Sequence, residues 1–206
     1  MLDLFKKKQN ENEFIFVGNR RHLRTEEELM CVNKEEADSA FKRYKKEFID
    51  KLLVAEGFYK YKTNAYVRLN SIGLLEYIDL QKERYGSKTF CVNFAVMPLY
   101  CKRDYIVLSL GDRLGSFISG EDVWWDYASE SVAKESFTNV STAIEKYLLA
   151  WFEQFSTTDG YRDALKKMHN KKLADEWLDA MENVHDKEIF IRQGIEKLKL
   201  PKKMQT

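Results

Sequence analysis

Seven side chains gathered around two polar breaks have the types that recognise other molecules. Gln81, Arg84 and Tyr85 lie at one break, and Arg113, Trp124, Trp125 and Asp126 lie in and after the other. Tryptophan and arginine concentrate at binding hot spots, and loops on a rigid scaffold carry sites. The chemistry on offer is recognition by rings, a guanidinium fork, an amide and a carboxylate. In the bland alternative one tryptophan plugs the core, the other covers its edge, and the arginines are solvated. The binding reading requires Gln81 and Trp124 on one side of the sheet.

Covalent and metal chemistry find less support. The cysteines are Cys31, Cys91 and Cys101, an odd number without zinc spacing, and they read as reduced cytosolic thiols. Cys91 alternates with Val92 in a predicted strand and points away from the Phe90–Val92–Phe94 face. A reactive thiol needs a neighbouring base or positive charge, and the sequence names none. His22, His169 and His185 have no second histidine or cysteine at ligand spacing, so no metal or other cofactor is expected. Gly111-Asp112-Arg113-Leu114-Gly115 lacks the Lys-Ser/Thr of a phosphate loop and reads as a turn. An enzyme would have to work through scattered carboxylates such as Asp79, Asp112 and Asp126.

Composition narrows the class further. The 206 residues suit one substantial domain with an extension. Basic side chains number 34 against 33 acidic, so no general field attracts nucleic acid. The basic face of the first helix, with tyrosines nearby, leaves nucleic acid an unlikely partner. No secretory signal opens the chain, and no window nears the about 18 apolar residues of a membrane span. A soluble, cytoplasmic protein is expected.

The elements that must position these residues centre on Leu74 to Met97. Leu74, Glu76, Ile78 and Leu80 alternate with Leu75, Tyr77, Asp79 and Gln81. After Gly86 and Ser87, Phe90, Val92, Phe94 and Val96 alternate with Thr89, Cys91, Asn93 and Ala95. Two period-2 runs across a turn predict an antiparallel hairpin. Pro98 ends its second strand. Asn33 with Glu36 caps a helix over about 34 to 56, with Ala37, Ala40, Phe41, Tyr44 and Phe48 inward and Lys45 on its outer face. Gly57 fits the position just past its end. Phe58 to Leu69 reads as one or two strands, and Tyr105 to Leu110 as another strand of the sheet. Gly111 to Gly120 reads as a loop. A helix over the 140s begins near Thr138 or Ser141. Asp159-Gly160 marks a joint, beyond which three apolar stripes predict helices and a frayed end. The FIFV run at 14–17 could be an edge strand of this chain or pair with another copy.

The order of these features resembles the domain of unknown function 4304 family of bacterial proteins. Gly57-Phe58, Leu80-Gln81-Lys82 and Trp124-Trp125 carry the likeness, over about residues 38 to 156. It implies a compact cytosolic α+β domain and brings no activity or catalytic residues.

The expected fold is α+β: an antiparallel sheet of four to six strands, packed by the long first helix and further helices. The expected units are an N-terminal arm (1–35), the α+β domain (36–156) and a helical C-terminal extension (157–206). The expected function is a non-catalytic protein-binding module, an immunity-type role being one form of it. Its alternative is small-molecule binding between sheet and helices, and an enzyme ranks last.

Overall fold

The computed structural model describes residues 19–20 and 32–205. The FIFV run, Cys31 and His22 lie outside them.

The protein is α+β, with every strand pairing antiparallel. β1 (Asn19–Arg20) pairs with β7 (Val123–Asp126). β2 (Tyr59–Lys62), β3 (Ala65–Leu69), β4 (Leu74–Lys82) and β5 (Thr89–Pro98) form a meander. β6 (Gly111–Arg113) and β7 share the far edge of β5, so seven strands occupy six positions across the sheet. Gly111 is required there. A Cβ at that position would sit 2.0 Å from the Phe94 carbonyl oxygen, so only glycine lets β6 approach β5.

The predicted antiparallel hairpin is present, with Ile78 opposite Phe94 and Gln81 opposite Cys91. Phe90, Val92, Phe94 and Val96 therefore share a face with Leu74, Glu76, Ile78 and Leu80. Two long helices cover this face. The first comprises α1 (Lys34–Tyr44), a π-helical stretch Lys45–Asp50 and α2 (Lys51–Ala55). The Asn33 side chain accepts from the Glu36 amide at 3.2 Å, as the capping pair predicts. Gly57, at φ 80°, ends the helix in the left-handed region. The second comprises α4 (Glu130–Ala143), a π-helical stretch Ile144–Leu148 and α5 (Leu149–Glu153). It begins at Ser129, whose hydroxyl accepts from the Val132 amide, rather than at Thr138 or Ser141.

Between helices and sheet lies a continuous aromatic layer. Phe90 stacks on Phe137 at 4.8 Å and meets Phe41 edge-on at 5.4 Å. Phe94 meets Trp151 at 4.7 Å. Each such ring contributes about 1.5–3 kcal/mol through burial.

Three expectations differ. Tyr105–Leu110 is not a strand: the Val96 amide bonds the Leu110 carbonyl and the Val107 amide bonds the Met97 sulfur, but no ladder forms, and Tyr105 and Leu108 are exposed. Gly111 to Gly120 is instead β6 followed by α3 (Leu114–Ser119). The C-terminus does not fray: after α6 (Thr158–Lys167), α7 (Lys171–Asn183) and α8 (Lys187–Lys197), a 3₁₀ turn Lys202–Gln205 buries Met204. The chain after α5 reaches the sheet near the strand ends. The Asn70 side chain donates to the Phe155 carbonyl at 2.9 Å, and Tyr61 donates to the Leu198 carbonyl at 2.9 Å.

Lys45 is also placed differently. The π-helical stretch fits an extra residue into its turn, which rotates Lys45 inward. The residue is 5% exposed, and its ammonium donates to the Thr63 carbonyl at 2.8 Å and to Asp50 at 3.3 Å. Burial holds its pKa below the usual lysine range even though Asp50 pulls the other way. Tyr66 also donates to Asp50, so the network pins the first helix to the β2–β3 turn.

Candidate functional site

The second face of β4 and β5 carries Tyr77, Asp79 and Gln81 opposite Ala95, Asn93 and Cys91. Arg113 pairs with Asn93 from β6, so it joins this face. On β7, Trp125 opposes Phe90 and Asp126 opposes Thr89. The pleat therefore sends Trp125 to the helix face, and Trp124 and Asp126 to the second face.

Gln81, Arg113 and Trp124 thus share one face, as the binding reading requires. Two polar clusters lie on it. The Asn93 amide donates to Gln81 at 3.0 Å and to Asp79 at 3.4 Å. Arg113 donates to Asp122 at 2.5 Å, and the Trp124 indole donates to the same oxygen at 3.2 Å. The guanidinium lies 5.1 Å from the Trp124 ring centroid. With both partners of the Arg113–Asp122 pair partly exposed, it contributes about 0–1 kcal/mol.

Burial governs the chemistry of this face. It raises the Asp79 carboxyl above its usual value, while the Asn93 bond and the Lys62 charge work against it. It pushes the Cys91 thiol up to about 12, the Arg113 charge offsetting only part of this. Cys91 is 0% exposed and remains a thiol at neutral pH, the opposite of an activated nucleophile. Cys101 is likewise buried and pushed up to about 12.

The remaining site residues separate. Trp125 is 1% exposed and packs 6.1 Å from Phe90, so it is core. Asp126 accepts from the Ala128 amide at 2.7 Å and shapes the turn into α4. Asp112 holds the Arg113 amide at 2.7 Å. Asp79, Asp112 and Asp126 therefore each keep local partners of their own. Among the described residues, no group of three or more histidine, cysteine or acidic side chains could hold a metal ion.

Arg84 and Tyr85 form a different surface, the exposed tip of the β4–β5 hairpin. Tyr85 is 78% exposed. The tip is nonetheless braced. One Glu83 oxygen accepts from the Tyr85 amide at 2.6 Å and from the Ser87 amide at 3.3 Å. Partial burial opposes Glu83 ionisation, but the Ser87 and Tyr85 amides outweigh it and hold the carboxyl below its usual value. Lys82 and Lys88 each donate to Asp38 at 3.0 Å, tying the hairpin to α1. Neither bracing acid, Asp38 nor Glu83, stands out in the sequence. The pairing of Asp38 spans 44 residues to Lys82 and 50 to Lys88, beyond any local pattern.

These features define an α+β protein with a closed aromatic layer on one sheet face, polar clusters among buried residues on the second face and a braced, exposed hairpin tip. A model of the family described as Domain of unknown function (DUF4304) matches residues 49–154, just over half of the chain. The chain belongs to that family. No curated protein and no solved structure matches it.

Proposed function

We propose that this protein is a non-catalytic, protein-binding module of a bacterial cytosol, and that the Arg84–Tyr85 tip is its contact. The observation that carries this is a tyrosine 78% exposed on a turn whose backbone is already fixed by Glu83. A preformed turn loses little conformational freedom on binding, and tyrosine and arginine are the residue types that anchor interfaces. Neutralising another protein by occluding it, as an immunity protein does, needs such a contact and no chemistry. The free, buried Cys91 and Cys101 suit a reducing compartment. Among the described residues, no helix is long and apolar enough to cross a membrane.

Small-molecule binding is the second reading, favoured by a groove between the segment after β5 and α8. It has about 230 Å³ of space and is lined by Lys102, Arg103, Phe190 and Lys197 among others. Arg103 already pairs with Glu176, and Lys197 with Asp104, which leaves Lys102 as the surplus charge. The space between sheet and helices, where a ligand was expected, is filled by rings.

The test is affinity capture from native lysate with the wild type and with Arg84→Ala/Tyr85→Ala. A stoichiometric partner held by the wild type and lost by the variant supports the reading. A partner held equally by both overturns the tip as its contact.

A further inference from the structure

Among the described residues, β2 is the terminal strand of the sheet and pairs only with β3. No backbone group of a described residue bonds its outer edge. An open edge is a template for another strand. The edge reads Tyr59-Lys60-Tyr61-Lys62, with Tyr59, Lys60 and Lys62 exposed.

Residues two apart on a strand normally share a face. Here an irregularity between Lys60 and Lys62 changes that. Lys60 opposes Tyr66, whereas Lys62 opposes Ala65, so the two lysines fall on opposite faces. Lys60 reaches Asp50 on the helix side at 2.9 Å, with half its side chain still exposed. Lys62 lies on the second face, where its ammonium is 4.9 Å from the Tyr61 ring centroid. The Tyr61 hydroxyl bonds the Leu198 carbonyl, which places the exposed Lys199 next to the same edge. A strand arriving at β2 therefore meets an ammonium on each of its faces, Lys60 paired with Asp50 and Lys62 within range of the Asp79 carboxyl.

We propose that the β2 edge accepts an extended acidic segment of a partner protein as an added strand. Main-chain bonds would supply the pairing, and Lys60 and Lys62 would select acidic side chains on either face. A short edge with a bulge and lysines is also how sheets avoid pairing with copies of themselves. That guard is selective by charge. A second copy brings the same lysines to the same edge, whereas an acidic strand relieves them. This surface is separate from the hairpin tip, and the two can fail independently.

The probe is a short synthetic peptide alternating glutamate and valine, with a lysine–valine peptide as control. Binding is read by amide chemical shifts and fluorescence anisotropy on the full chain. The expected result is shifts centred on Tyr59 to Lys62, affinity that falls with salt, and no binding of the control. Lys62→Glu, which breaks no ion pair within the described residues but also removes the positive charge acting on Asp79, should weaken binding about tenfold or more. Tyr85→Ala should leave it unchanged. The proposal is overturned if the acidic peptide does not bind, shifts other elements, or binds Lys62→Glu equally well. Concentration-dependent β2 shifts without peptide would also overturn it, in favour of a second copy as the occupant.

Discussion

Trp124 and Trp125 are neighbours in the chain but lie on opposite faces of the sheet. Trp125 opposes Phe90 and is sealed into the aromatic layer. Trp124 lies over Arg113 on the polar face. Both rings are buried, Trp124 at 4% and Trp125 at 1%, but one belongs to the Arg113–Asp122 polar cluster and the other to the aromatic layer, so substitutions at the two positions should differ in kind.

Trp125→Ala should lower the unfolding free energy by about 3–5 kcal/mol, the cost of a large cavity in a packed core. Equilibrium urea denaturation followed by far-ultraviolet circular dichroism measures it. A change below about 1 kcal/mol would mean that Trp125 is not the core residue its burial indicates.

Cys91 and Cys101 should resist thiol reagents in the native protein and react on unfolding. Both are buried, and burial raises both thiols to about 12, so at pH 8 almost none is thiolate. Mass spectrometry after brief alkylation, with and without denaturant, checks each position.

Asp79 makes a pH prediction. Its folded pKa is raised by burial, so the folded state binds its proton more tightly than the unfolded state does. The folding stability it contributes is full below the unfolded value of about 3.9 and is lost as pH rises through the folded value. Asp79→Asn removes this titration with little change of shape. Wild-type stability relative to the variant should therefore improve as pH is lowered from 7 to about 4, then level off. Urea unfolding of both proteins across that range measures the difference. A difference that grows in the opposite direction would mean that Asp79 is stabilised as an anion.

Glu83→Ala should loosen the hairpin tip without unfolding the protein. The carboxylate fixes the Tyr85 and Ser87 amides, so hydrogen exchange at those amides should quicken while that of β5 stays unchanged.

The sequence made much of this architecture legible, for a physical reason. Period-2 alternation survives translation into a pleated sheet, so the β4–β5 hairpin and the placing of Cys91 on the face opposite Phe90 could be read from residue types alone. The Asn33 cap and Gly57 are likewise local signals. Lys45 was not legible, because a π-helical stretch shifts the helical phase without a sequence mark. β6 and α3 were hidden by the small, polar residues from Gly111 to Gly120. Of the candidate site, the pleat unites Gln81, Arg113 and Trp124, but assigning Trp125 to the core required the register of β7 against β5. The bracing of Arg84 and Tyr85 by Glu83 and Asp38 depends partly on contacts distant in the chain.

The most direct test of the protein-binding account is site-specific photocrosslinking in cells. A photoreactive amino acid replaces Tyr85 in one version of the protein and Val54 in another. Both positions are well exposed, at 78% and 63%, so both are free to react. The account predicts one dominant protein adduct from position 85, absent from position 54. No adduct at position 85, or the same adducts from both positions, would contradict it.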